Sequence, residues 1–148
     1  MSVTITVDDK PVIDYLNRLL EKTGDLTPVM NHIGAELEAR IANRFETRSD
    51  PLGAPWAPLA ASTKKSYPED GLGFVLERYG DMLRSLSHSA DATSVTVGFG
   101  QPYAAFHEFG TKHMPRRGLL TEDPESGTLA PDDRTSVLDI ITDYLGDA

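Results

Sequence analysis

Ile33, Leu37, Ile41 and Phe45 recur at four-residue intervals, with Val29 and Met30 one turn earlier. That spacing draws one apolar stripe down a long helix. A helix with such a stripe must bury it, so the rest of the chain has to supply a surface that covers it. Thr27-Pro28 is the start signal, and the helix is predicted to run to about Thr47. Glu36, Glu38, Arg40 and Arg44 read as lying off the stripe, with Glu36 and Arg40 an i, i+4 pair of favourable orientation.

The covering surface is sought in segments of period two. Val3, Ile5 and Val7 alternate with polar residues and predict a strand. Leu86, His88 and Ala90 alternate with serines, and Val95, Val97 and Phe99 alternate with Ser94, Thr96 and Gly98. With Asp91-Ala92 between them they predict a β-hairpin. Pro11, behind Asp8 and Asp9, opens a helix carrying Val12, Ile13, Leu16, Leu19 and Leu20 and ending near Gly24.

Shorter helices are predicted after Ser62 (with Lys64 and Lys65), from Asp81 through Leu83, and over Tyr103 to Phe109, where Gly110 stops the last of them. A closing helix opens at Asp132 and Asp133 and carries Val137, Leu138, Ile141, Tyr144 and Leu145 on one face. Segments 50–59, 67–74 and 123–131 are rich in Pro and Gly and read as loops, and 111–120 reads as extended. The expected class is α+β: a small mixed or antiparallel sheet with a β-hairpin, packed against two or three helices. The 148 residues are expected to form a single domain, 1–148, with an acidic loop and closing helix at 121–148.

Charge narrows the function. The formal net charge is −9, which disfavours a protein whose main task is to grip phosphate. The imbalance sits at one end. Glu122, Asp123, Glu125, Asp132, Asp133, Asp139, Asp143 and Asp147 are opposed there only by Arg134. No apolar run approaches the ~20 residues of a membrane span, and the acids of the first nine residues do not suit a signal peptide. The chain is therefore expected in the cytoplasm when made, without a membrane partner.

The signals for catalysis are weak. The chain has no cysteine, which removes thiolate nucleophiles, disulfides and Cys-based zinc sites. His107, Glu108 and His113 make a metal-dependent enzyme imaginable, but their spacing matches no helical ligand pair. Adjacent acids such as Glu69-Asp70 and Glu122-Asp123 diverge, and no nucleophile elbow or phosphate-cradling loop is present. No catalytic residue, cofactor or metal is assigned.

Aromatic residues and arginines stand out instead. Trp56 lies between Pro55 and Pro58, followed by Leu59. Tyr103, Phe106, His107 and Phe109 cluster, followed by Arg116 and Arg117. Aromatics and Arg are the residue types of interface anchors, and equally of a small closed core. These eight are the interface candidates. Arg116 and Arg117 are expected to meet acidic surface on a neighbouring chain, its own Glu122 to Asp147 segment being the nearest choice.

Four segments, taken in order, resemble the phage virion morphogenesis family. The long helix running into Phe45 is followed by Pro51-Leu52-Gly53-Ala54-Pro55-Trp56-Ala57-Pro58-Leu59 and by Thr63-Lys64-Lys65. Tyr79-Gly80-Asp81-Met82-Leu83-Arg84-Ser85-Leu86 is similar to the family's step into a hairpin. Val95-Thr96-Val97-Gly98 then leads to Tyr103-Ala104-Ala105-Phe106-His107-Glu108-Phe109-Gly110, which resembles the signature YA-x-x-H-x-x-G. Met114-Pro115-Arg116-Arg117-Gly118-Leu119-Leu120 resembles its P-x-R-x-x-L stretch, with Gly118-Leu119 where the family often has Pro-Phe.

The resemblance implies a structural virion protein that completes the tail end and takes part in head–tail joining. It implies a homo-oligomer, a six-fold ring, with tail-tube and neck or connector proteins as partners. DNA would pass through the lumen without specific binding. A head-side adaptor or stopper docking on a portal ring would share the size, the charge and the lack of catalytic residues.

Overall fold

A computed structural model of the chain describes residues 2–5, 10–66, 76–77 and 80–147. The stripe at Ile33, Leu37, Ile41 and Phe45 is the centre of the molecule. Helix α2 (Thr27–Thr47) buries all four, together with Val29 and Met30. Asp25 opens it, its carboxylate accepting from the Thr27 N–H at 2.9 Å and the Thr27 hydroxyl at 2.6 Å. These bonds hold the Asp25 carboxyl below its ordinary value. The helix ends where Arg48 takes a left-handed turn (φ 52°).

One side of α2 rests on a three-stranded antiparallel sheet. Strands β1 (Ser2–Ile5), β2 (Leu86–Ala90) and β3 (Val95–Phe99) lie in the order β1-β3-β2. The hairpin is present in the expected register, with Leu86 opposite Phe99 and Ala90 opposite Val95. Its turn is tied by Asp91, whose Oδ1 accepts the Thr93 and Ser94 N–H groups, each at 2.8 Å. The N-terminal strand adds to the far side of β3, with Val3 opposite Val97. Val7, expected in that strand, lies outside the described residues.

Helices α1 (Lys10–Thr23) and α6 (Pro131–Asp147) cover the rest of the core. Gly24 caps α1 with φ 72°, donating to the Leu20 carbonyl at 2.7 Å. Leu19 is buried while Leu20 is exposed. From α6, Val137, Ile140 and Ile141 enter the core, and Tyr144 meets His32 of α2 edge-on at 5.7 Å between ring centroids. The short helices are α3 (Ala61–Ser66), α4 (Asp81–Arg84) and α5 (Ala104–Phe109). Ser62 lies inside α3 rather than capping it, because Lys64 already donates to the Ala60 carbonyl. The loop expected at 67–74 lies outside the described residues.

One expectation about α2 is corrected. Arg44 is not off the stripe but buried at 6% exposure. It follows Leu37 by seven residues and Ile41 by three, the spacing of the buried face itself. Its guanidinium bonds the buried Asp133 carboxylate of α6, which also accepts Arg40 Nε at 2.8 Å. A second Arg44 nitrogen donates to the Leu119 carbonyl at 2.5 Å. The charge is tolerable inside because each partner completes the other. Arg40 also reaches Glu36 at 3.9 Å, as expected of that pair, but at partial exposure this contributes little.

Helix α2 and the sheet touch closely at Gly34. A Cβ placed there would come within 2.5 Å of the His88 ring and 2.9 Å of Val95 Cγ2. His88 is itself held by Glu38 at 2.5 Å, and the β-branched Val95 has little freedom to turn away. Gly34→Ala gains ~0.8–1.0 kcal/mol of helix propensity, against roughly 1–3 kcal/mol for forcing a packed contact apart. The packing term is expected to win. In urea melts the variant should show a lower midpoint at unchanged slope; an equal or higher midpoint would show that helix and sheet separate without cost.

Candidate assembly surface

Residues 117–121 are buried yet belong to no helix or strand. Buried backbone polar groups must find partners, and here side chains supply them. Leu119, Leu120 and Thr121 point their N–H groups at Glu108, at 2.7, 2.8 and 3.1 Å. The Thr121 hydroxyl donates to the same carboxylate at 2.6 Å, and Arg116 Nη2 reaches it at 3.2 Å. Glu108 is 0% exposed, and both its oxygens are engaged. The carbonyls of this segment are collected too. Trp56 Nε1 donates to Gly118 at 2.9 Å, Arg44 to Leu119, and Arg116 to Thr121 at 2.6 Å.

Glu108 is part of α5, so this network fixes that helix against the body of the protein. Arg116 Nε also donates to the Glu108 carbonyl at 2.7 Å, and the Arg117 N–H to the His107 carbonyl at 2.8 Å. Gly110 makes the fit possible. It turns with φ 75°, and a Cβ there would lie 3.0 Å from the Arg116 nitrogen.

Helical geometry then decides what the other side of α5 shows. Ala104 and Glu108, four apart, face inward. Tyr103, Phe106 and Phe109, three apart, fall on the opposite face. They are 40, 58 and 46% exposed. Three large aromatics thus stand exposed on a helix whose inner side is locked. Partial burial, and then the nearby Asp81 carboxylate, hold the Tyr103 phenol above its ordinary value.

The eight interface candidates divide. Tyr103, Phe106 and Phe109 form the exposed face, with His107 half-buried beside them and Leu59 half-buried elsewhere. Trp56 and Arg117 are placed inside. Trp56 is 6% exposed and meets Phe45 edge-on at 5.3 Å. The loop that delivers it is closed by Asp50, whose Oδ1 accepts the Leu52 and Ala54 N–H groups, each at 2.9 Å. Arg117 is 5% exposed and donates to the carbonyls of Ala57 and Pro58 at 2.8 and 2.9 Å. Arg116 and Arg117, expected to reach acids of a neighbour, make these bonds within the subunit. Both arginines are held by carbonyls that the proline-rich loop and residues 108 and 121 leave unpaired by secondary structure.

Sequence reasoning missed the structural work of Glu108 and Asp133. Glu108 is a lone acid within an aromatic run, and that was the available signal. With both oxygens occupied it is not free to bind a metal alongside His107 and His113, and His113 is exposed. Among the described residues no group of three or more His, Asp or Glu converges as metal ligands, and no helix is long and apolar enough to cross a membrane.

Residues 7–146 match the model of the phage virion morphogenesis family. The chain belongs to that family. It is also similar to the Mu-like prophage FluMu G protein 2 of Haemophilus influenzae, with 27% identity over 133 residues, 90% of this chain and 88% of the relative. No solved structure matches it. Family membership gives the chain a structural role in building a phage virion, and associates it with the virion.

Two outcomes test the interior. Glu108→Gln keeps the shape but loses the charge that five donors face, so stability should fall by roughly 3–5 kcal/mol, read by denaturant unfolding. An unchanged midpoint would mean that the donors are satisfied without the carboxylate. His107 gives a pH signature. Its Nδ1 is buried without a partner, and burial, then the Arg117 charge, lower its pKa from the ordinary 6.5. Below about pH 6.5 the unfolded chain takes up a proton that the folded chain refuses. This contribution is full above that pH and is lost as pH falls toward the lower folded value. His107→Gln should flatten the dependence of melting temperature on pH between about 6.5 and 5; identical slopes in both proteins would overturn the assignment.

Proposed function

We propose that this protein completes the phage tail and takes part in joining tail to head, acting as a closed ring of identical subunits with the aromatic face of α5 as a subunit contact. The observation that carries this reading is the exposure of Tyr103, Phe106 and Phe109 on a helix immobilised by Glu108. A preorganised aromatic surface binds without first having to order itself. Membership of a virion morphogenesis family supplies the setting. Six copies would match a six-fold tail tube, and the partners would be the tube and the neck or connector proteins. The exposed acids of the closing helix, Asp132, Asp139 and Asp143 among them, suit a ring through which DNA moves, because acidic surface does not hold phosphate.

Mass measurement of the purified protein, alone and with tail-tube protein, tests the reading. A ring should form in at least one of the two, and Phe106→Asp should abolish it while leaving the melting temperature within a degree or two. Tails assembled with this variant should fail to join heads. A wild-type chain that stays monomeric in both conditions, or a variant that assembles and joins normally, would sink the proposal.

A further inference from the structure

Resting on the reading that the chain assembles with copies of itself, we propose that the aromatic face of α5 docks into the groove between α2 and β2 of the next copy. The groove has a volume of about 360 Å³ and is lined by Ala35, Ala39 and Ala42 of α2 and by Leu83 and Leu86, with Glu38 and His88 as its polar part. The alanines leave the helix surface low, so another helix can approach closely. Leu83 and Leu86 are only partly covered by the subunit's own core. A projecting row of aromatics and an apolar recess floored by small side chains are complementary in shape and in chemistry.

The two patches share no residue, as a ring requires. The knob is Tyr103, Phe106 and Phe109 of the α5 segment, and the groove is lined by residues of α2, α4 and β2. One subunit therefore presents a knob and a hole built from different residues, which makes the contact heterologous and lets it repeat from copy to copy. Charge agrees. Lys112 is exposed three residues beyond Phe109, and the groove carries Glu38, which already pairs with His88, so the seated segment would bring a cation to that carboxylate.

The chain has no cysteine, so engineered pairs report contacts without background. Phe106→Cys is combined in one chain with Ala35→Cys, Ala39→Cys or Ala42→Cys in turn, and each variant is oxidised under the conditions in which the wild type assembles. At least one combination should give a covalent ladder ending at the mass of the closed ring, since a disulfide needs Cα atoms about 4.4–6.8 Å apart. The single-cysteine variants should give no ladder. Ala39→Trp, which fills the groove from an exposed position, should abolish assembly without changing the melting temperature. Rings of normal mass that form no ladder with any pair and tolerate Ala39→Trp would overturn the groove while leaving the ring reading intact. A wild-type chain that never assembles would overturn both.

Discussion

A single buried carboxylate organises a buried segment that secondary structure leaves unsupported. Glu108 receives three successive N–H groups, a hydroxyl and a guanidinium. Without it, residues 119–121 would carry unpaired donors into the interior, a cost of roughly 1–3 kcal/mol for each. With it, an irregular segment lies inside as securely as a strand. Such a segment has no neighbouring strand to hold its register, so the side chains set it. Trp56, Arg44 and Arg116 take its carbonyls while Glu108 takes its amides.

The same network ties distant parts of the chain together. Arg44 joins α2 to residue 119 and, through Asp133, to α6. Trp56 joins the proline-rich loop to residue 118, and Arg117 returns a bond to that loop at Ala57. Charged and aromatic side chains therefore do here what a larger sheet does elsewhere. A domain of this size with a three-stranded sheet has few ladder bonds to spend on holding loops in place.

The periodic part of this architecture was legible in the sequence. The stripe of α2, the hairpin, the α6 face and the stop at Gly110 follow from spacing, and spacing is a local property. The pairing of β1 with β3 was not legible, because contacts between residues about ninety positions apart leave no local pattern. Arg44 shows a different limit. Its position on the buried face was computable from Leu37 and Ile41, but its charge argued for solvent, and only the facing Asp133 reverses that argument. Trp56 and Phe106 show the limit most plainly. Core and interface select the same residue types, so composition marks both as candidates, and only the backbone decides that one points in and the other out.

That sorting of aromatics has a consequence for assembly. Phe45, Trp56 and Phe99 meet in the core at centroid distances of 5.3 and 6.1 Å, while Tyr103, Phe106 and Phe109 remain in solvent. The second group cannot turn inward to hide, because Glu108 holds the opposite side of the same short helix. Rigid exposed aromatics favour association, and association through one convex patch meeting another would stop at a pair. A convex patch meeting a concave one repeats from copy to copy, closing into a ring where the rotation brings the last copy back to the first and running on as a filament where it does not. In the proposed ring, the rotation fixed by where α5 and the α2–β2 groove lie on one subunit would therefore set the number of copies. The Glu108 network, by fixing α5, would set that rotation too.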